Sequence, residues 1–342
     1  MRIVVCHPQV PFARGGAEIL ADDLVRELRA RDHDAELVTV PFKWYPSSSV
    51  MTQSLVWRLL DLDEVQGRAV DLVIATKFPS YVVRHQNKIV WLVHQFRQAY
   101  DLDRTELREF GEEPFDRAAR RAVHRLDRTT LGEARRLFAI SENVASRLER
   151  SIGLAADVLR PPPQQLAYRC EQYGDFVLSI GRLDRAKRVD LLLGAAAADS
   201  DLRVVVAGEG PDRERLEGIA GELRLDGRVT FTGRLDDDEL ADQYARCLAV
   251  FYAPIDEDMG YVPYEAFLAE KPVVTTLDAG GPLEVVEDRR TGVVVEPTAQ
   301  AIADAFAWLR RNPDQARAQG QAGRAEAAGL TWDATIDRLL GR

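Results

Sequence analysis

The chain has 342 residues, 46% of them hydrophobic and 29% charged, with a formal net charge of −10. That length suits about two domains, the balance is that of a soluble globular protein, and the acidity argues against general binding to nucleic acid. Short apolar runs broken by charge exclude a transmembrane helix, the N-terminus lacks a signal-peptide pattern, and three scattered cysteines (Cys6, Cys170 and Cys247) exclude a disulfide framework or zinc site, so a reducing cytoplasm is the expected setting.

In chain order, strands are expected at residues 2–6, 72–76, 88–94, 137–141 and 158–159, then at 176–181, 203–207, 229–232, 249–253, 272–276 and 292–295. Most are continuous Val, Ile, Leu and Phe runs, the pattern of strands buried on both faces of a parallel sheet. Helices are expected at 17–30, where Ala17, Leu20, Leu24 and Leu28 form one stripe, and near 190–198, 213–223, 237–247 and 262–269. From Ala299 onward the chain reads as helical. This alternation predicts doubly wound α/β architecture. The sharpest boundary is Arg160-Pro161-Pro162-Pro163-Gln164-Gln165, because consecutive prolines suit a stiff linker and neither a helix nor a central strand. Residues 1–165 carry 24 basic and 23 acidic side chains, so the acidity resides in the second half.

Chemistry-bearing residues gather at the expected strand ends. Arg14-Gly15-Gly16-Ala17-Glu18 joins the first strand to the first helix. Paired glycines there let a phosphate or sugar touch the backbone, although a plain loop–helix junction looks the same. His94 ends the 88–94 strand and His7 follows the first. Histidine can orient or polarise a hydroxyl near neutral pH, although a lone strand-end histidine is more often structural. Arg117, Arg120, Arg121, Arg125 and Arg128 recur at helical spacing. A solvated face paired with nearby acids is the preferred reading, and an anionic membrane surface the other.

In the second half, Gly181-Arg182-Leu183-Asp184-Arg185-Ala186-Lys187 follows a strand and precedes a helix. Arg182 and Lys187 suit a diphosphate, or simply a charged loop. Gly208-Glu209-Gly210-Pro211 lacks the third glycine of a dinucleotide fingerprint, which argues against an NAD enzyme. Asp236-Asp237-Asp238 reads as a helix start rather than a metal site. Glu257 and Glu265 are separated by seven residues that include Met259, Gly260 and Tyr261, with Pro263 suited to the first turn of a helix. A helix N-terminus favours an anion, which these carboxylates would repel, so they suit sugar or ribose hydroxyls instead. For Glu265 alone, the helix dipole is a sufficient reason. Gly280-Gly281-Pro282-Leu283-Glu284 reads as a loop into a short helix.

Taken in this order, these residues resemble the retaining glycosyltransferases of family 4, which have the GT-B fold, over nearly the whole chain. The segments that carry the resemblance are Gly-Gly-x-Glu (Gly15, Gly16, Glu18), Gly-Arg-Leu…Lys (Gly181 to Lys187) and Glu-x7-Glu (Glu257 and Glu265). Two more are Glu-Ala…Lys-Pro-Val-Val (Glu265-Ala266 and Lys271 to Val274) and Gly-Gly…Glu-Val-Val…Thr-Gly (Gly280 to Gly292). The resemblance implies an α/β fold of two Rossmann-like domains facing each other across a cleft. Residues 1–163 would bind the acceptor, residues 170–325 the nucleotide-sugar donor, and a C-terminal helix at 326–342 would pack back on the first domain.

The resemblance also implies residue roles. Arg182 and Lys187 would hold the donor diphosphate, Glu265 the ribose, and Glu257 the sugar hydroxyls near the backbone of Met259, Gly260 and Tyr261. His94 would stand near the reaction centre, and Gly16 would face the diphosphate or acceptor. Gly15, Gly181, Gly208, Gly210 and Arg234 complete the expected donor site, Arg234 through a segment near the base. Met259 and Tyr261 depart from the family's frequent Phe and Leu, which bears on the sugar accepted. The implied reaction is transfer with retention, by attack on the leaving-group face, from a UDP or GDP sugar to a carbohydrate or lipid-linked acceptor. No metal or cofactor is expected, and the setting is cytoplasmic polysaccharide or glycolipid assembly in bacteria, with peripheral contact to an anionic membrane. Two rival readings are a nucleotide-sugar epimerase on a GT-B-like fold, which would need further acid/base residues around the sugar, and a non-catalytic nucleotide-sugar-binding protein.

Overall fold

The computed structural model describes residues 1–341, the side chain of Arg104 excepted. The chain divides into two compact units, one comprising Met1–Pro162 with the segment from Trp332, the other Pro163–Thr331. The division falls within the triple proline.

In chain order the first unit comprises β1 (Arg2–Gln9), α1 (Gly16–Arg29), β2 (Asp34–Pro41), α2 (Ser49–Leu59), β3 (Glu64–Val65), β4 (Arg68–Ala69), β5 (Leu72–Ala75), β6 (Lys88–Leu92), α3 (Pro114–Gly132), β7 (Arg136–Ala139), α4 (Glu142–Ile152) and β8 (Asp157–Val158). Six strands form one sheet in the order β2-β1-β5-β6-β7-β8, and every pairing in it is parallel. β3 and β4 make a small antiparallel hairpin beside it. Strand β2 escapes the hydrophobic-run criterion because it is an edge strand in which only Ala35 is buried and Asp34, Glu36, Thr39 and Pro41 are exposed. Helix α4 is announced only by its caps: the Ser141 hydroxyl accepts from the Val144 amide, and Gly153 ends the helix at φ 74°.

The second unit comprises β9 (Phe176–Ile180), α5 (Val189–Ala198), β10 (Arg203–Ala207), α6 (Arg213–Glu222), β11 (Val229–Gly233), α7 (Asp237–Arg246), β12 (Ala249–Phe251), α8 (Val262–Leu268), β13 (Val273–Thr276), β14 (Gly292–Val295), α9 (Ala299–Arg311) and α10 (Pro313–Ala327). Its sheet runs β11-β10-β9-β12-β13-β14, again wholly parallel. Counted within the unit, that is 3-2-1-4-5-6, the doubly wound order whose direction of winding reverses between β9 and β12. The core includes Val177, Leu192, Leu193, Val204, Val206, Phe251, Val274, Ile302 and Phe306, contributed by strands and by helices α5 and α9. Asp236 caps α7 reciprocally with Glu239, so the Asp236–Asp238 run is a helix start.

The last helix, α11 (Trp332–Leu340), belongs to the first unit. Its Trp332 ring meets Trp91 of β6 edge-on at 6.2 Å, and the Arg136 guanidinium donates to the carbonyls of Arg338 and Leu339. Among the described residues, no helix is long and apolar enough to cross a membrane.

Candidate functional site

Ligands of open α/β sheets bind outside the carboxyl ends of the strands where the winding reverses. In the second unit that place lies beyond β9 and β12, and two of the motifs read from the sequence emerge there. At the end of β9, Gly181 has φ 141°, a conformation that favours glycine, and a Cβ on it would point into open space. Arg182 follows, exposed, and Asp184 accepts from the Lys187 amide at 3.2 Å to shape the turn. The Lys187 ammonium lies against the Glu257 carboxylate and 3.3 Å from the Tyr252 hydroxyl. Burial alone would discharge Lys187, but Glu257 and Tyr252 outweigh it and hold its pKa above the ordinary lysine value. The proposed diphosphate cation and the proposed sugar carboxylate, 70 residues apart in sequence, are therefore one ion pair.

The loop around Glu257 is braced from the next motif. Glu257 donates its amide to the Ala279 carbonyl at 2.8 Å, and its own carbonyl accepts from the Gly281 amide at 2.8 Å. Gly260 has φ 79° and lies against the Tyr252 ring, which a Cβ would meet at 2.6 Å. Met259 is buried, so its side chain serves packing, whereas Tyr261 is half-buried. In the first turn of α8, Glu265 accepts from the Tyr244 hydroxyl at 2.7 Å. Burial pushes its carboxyl up to about 7, against the opposing pull of that hydrogen bond.

Gly208 and Gly210 have a local reason of their own. A Cβ on Gly208 would lie 1.9 Å from the Gly181 carbonyl oxygen, and one on Gly210 would lie 2.1 Å from that of Leu183. The Leu183 amide donates to the Glu209 carbonyl at 3.0 Å, so the two loops clasp backbone to backbone. These glycines shape the cation loop, which the sequence pattern alone does not distinguish from contact with a ligand. Arg234 is exposed beyond β11, the edge strand, and the structure does not bring it to the Lys187–Glu257 pair.

In the first unit, a second cluster forms beyond β1 and β5. The His7 ring is buried, with Nδ1 2.8 Å from the Thr76 hydroxyl and Nε2 3.4 Å from Glu18. Glu18, in the first turn of α1, accepts from the Gly15 amide at 2.9 Å and from Lys77 Nζ at 2.7 Å. Burial opposes its charge, but His7 and Lys77 prevail and hold the carboxyl well below the usual range. Burial, with Lys77 and His94 nearby, lowers the pKa of His7 although Glu18 opposes this. The carboxylate thus anchors the Gly15–Gly16 turn. Lys77 is not among the residues singled out from the sequence, although it stands immediately after the run at 72–76, the same kind of strand-end position that singles out His94. His94 is half-buried, its Nδ1 2.6 Å from the Gln95 carbonyl.

On α3 the expected pairing of arginines with acids holds only for Arg120, which meets Asp103 at 2.7 Å and Glu112 at 3.3 Å. Arg117, Arg121, Arg125 and Arg128 are exposed, and among the described residues no carboxylate pairs with them. The face is solvated, as the preferred reading has it, and the correction concerns the pairing with acids. The four are spaced along one exposed side of the helix. Among the described residues there is also no group of three or more His, Cys, Asp or Glu arranged to hold a metal ion.

Both the sequence and the fold are similar to those of known proteins. Residues 171–326 match the family described as "Glycosyl transferases group 1". The chain is 32% identical over 246 residues to the D-inositol 3-phosphate glycosyltransferase of Mycolicibacterium paratuberculosis, covering 68% of this chain and 54% of that protein. It spans about half the length of the curated relatives it matches. Among solved structures, sucrose-phosphate synthase from Thermosynechococcus elongatus superposes with a TM-score of 0.79 at 20% identity, over 100% of this chain and 98% of that one. HepE of Anabaena in complex with UDP and glucose superposes with a TM-score of 0.73 at 17% identity, over 100% and 98%. The fold is GT-B, with two Rossmann-like domains.

Proposed function

We propose, from the premise that residues 171–326 are a group 1 glycosyl transferase domain within a GT-B fold, that the protein moves a sugar from a nucleoside-diphosphate sugar to an acceptor hydroxyl. The observation that carries this reading is the joining of Lys187 to Glu257 at the reversal point of the second sheet, with Arg182 on the same loop and Glu265 in the first turn of α8. Arg182 and Lys187 would take the charge of the leaving diphosphate, which makes a metal unnecessary. Glu257 would share its hydrogen bonds between Lys187 and a sugar hydroxyl, and Glu265 would accept from the ribose. The first unit would receive the acceptor, with His94 near the reacting atoms.

Transfer is assigned the retaining course of family 4. The bond from the sugar's anomeric carbon to the diphosphate oxygen breaks, a bond to the acceptor oxygen forms on the same face, and the acceptor's proton passes to the departing diphosphate. The role assigned is polysaccharide or glycolipid assembly on the cytoplasmic side of a membrane, with α3 facing anionic lipid. Support for that contact comes from the exposed arginines of α3 that no carboxylate among the described residues pairs, and from exposed Leu55, Val56 and Leu59 on α2. Flotation with phosphatidylglycerol vesicles, reduced on replacing Arg121, Arg125 and Arg128 by Ala, is the expected result; flotation equal in the variant contradicts it.

A thermal-shift panel of UDP, GDP, ADP and their common sugar conjugates tests the central assignment. At 100 times its dissociation constant a ligand stabilises by about 2.7 kcal/mol. The expected outcome is a selective shift lost in Arg182→Ala and Lys187→Ala. A shift by none of them, or one retained in both variants, contradicts the assigned site. Epimerised donor produced without an acceptor would favour the epimerase reading instead.

A further inference from the structure

Asp127 on α3 is a fully buried carboxylate outside the clusters described above. Three groups point at it: the Tyr81 hydroxyl at 2.8 Å, the Tyr100 hydroxyl at 2.8 Å and the Gln95 side-chain amide at 3.4 Å. A charged group is costly to bury, and only an acceptor with no donor of its own can receive several donors at once without conflict. Tyr81 belongs to the turn before β6, whereas Gln95 and Tyr100 belong to the segment that follows it. Two of the three donors thus come from the stretch that begins with His94.

That stretch is gripped at further points. The Gln95 side-chain oxygen accepts from the Ser151 hydroxyl of α4 at 3.1 Å, so the Gln95 amide is held between α3 and α4. One turn before Asp127, His124 places Nε2 2.6 Å from the Ala99 carbonyl and stacks its ring on Tyr100 with centroids 4.3 Å apart. The backbone of the same Gln95 meets His94. A carbonyl oxygen only accepts, so the 2.6 Å contact from His94 Nδ1 puts the ring proton on that nitrogen. In the neutral ring, Nε2 is then the basic nitrogen.

We propose that Asp127 is a positioning residue for His94: by anchoring Gln95 and Tyr100 it holds the Gln95 carbonyl where it fixes the orientation and Nδ1–H tautomer of the His94 ring. The proposal rests on the reading that His94 serves the transfer reaction, and it adds the reason why a carboxylate is buried 33 residues further along the chain. Orientation of a functional imidazole through a hydrogen bond to its other nitrogen is a general device. Burial pushes the Asp127 carboxyl up to about 6 while its three hydrogen bonds oppose this, so the acceptor form prevails at pH 7.5. Tyr81 is the internal control, because it binds the same carboxylate from outside the 94–100 segment.

The test uses the full chain labelled with ¹⁵N-histidine. Ring nitrogen shifts of His94 report its tautomer without any ligand. The expected result is the Nδ1–H tautomer in the wild type and in Tyr81→Phe, and a mixed population in Asp127→Ala and Gln95→Leu. Where nucleotide-sugar turnover is measurable, kcat should fall by about tenfold to a hundredfold in Asp127→Ala with nucleotide affinity unchanged within about twofold. An unchanged His94 spectrum in folded Asp127→Ala overturns the proposal, as does a loss of affinity equal to the loss of rate. If Asp127→Ala does not fold, Tyr100→Phe and Gln95→Leu decide by the same spectra. A wild type with no turnover would count against the transferase reading, while the ring spectra would still decide the role of Asp127.

Discussion

Glu18 and Glu265 are the same residue type in the same kind of place, each in the first turn of a helix beside the carboxyl ends of a parallel sheet. Their titration runs in opposite directions. Glu18 meets a lysine, a histidine and a backbone amide, and stays charged far into acid. Glu265 meets one neutral hydroxyl and is pushed up to about 7. A helix N-terminus alone therefore does not decide the state of its acid; the partners supplied by other segments, here His7 and Lys77, do. The difference separates a carboxylate locked into the frame from one with hydrogen-bonding capacity left for a ligand. The frames differ too: charges hold the loop of the first unit, whereas in the second two loops clasp backbone to backbone through glycine.

The contrast is broken most severely by removing the cation. Lys77→Met takes the lysine from the half-buried Glu18, leaving it His7 and the Gly15 amide, and is expected to destabilise the protein by about 3 kcal/mol in urea unfolding at pH 7. A loss near zero would mean that Glu18 is not locked by charge. Next in size, Gly208→Ala forces a methyl against the Gly181 carbonyl and should cost about 2–3 kcal/mol, with weakened nucleotide binding measured by calorimetry. Unchanged stability would contradict the clasp.

The pH dependence sharpens the comparison, because the signs differ. Glu265 has a raised folded pKa, so the folded state holds the proton more tightly than the unfolded state. Its contribution to stability is present below the ordinary glutamate value of about 4.5 and is lost as pH rises to about 7. Relative to Glu265→Gln, the wild type should lose on the order of 2 kcal/mol across that window, read from denaturation at stepped pH. Glu18 has a depressed folded pKa, so its contribution is present above the ordinary value and lost as pH falls below it. The smallest expected effect is that of Tyr244→Phe, which removes the hydrogen bond from the Tyr244 hydroxyl to the Glu265 carboxyl and should cost about 1 kcal/mol. It should also move the Glu265 transition to higher pH; a move to lower pH would contradict the assignment.

The same contrast explains what was legible in the sequence. The central strands of both units announce themselves because they are buried on both faces, and the loops of the second also carry glycines, as at Gly181, Gly208 and Gly260. The cations of that region were legible as residue types; their partners were not, since pairing Lys187 with Glu257 depends on strand order. In the first unit, β2 is hidden by its place at the sheet edge, where Ala35 is its one buried residue. Lys77 and Asp127 were hidden because a buried charge looks like a surface charge until its donors and acceptors, drawn from distant segments, come into view. The arginines of α3 were read at the correct spacing, but their acids were assumed, and only Arg120 has them.

The most direct test of the ribose assignment is proton release on nucleotide binding, measured by titration calorimetry at pH 7 in buffers of different ionisation enthalpy. Ribose hydroxyls donating to Glu265 require its ionised form, and a carboxyl with a pKa of about 7 is half protonated there. The account predicts release of about half a proton per nucleotide bound by the wild type and none in Glu265→Gln. Equal proton release in the two proteins, or tight binding with none in either, would contradict it.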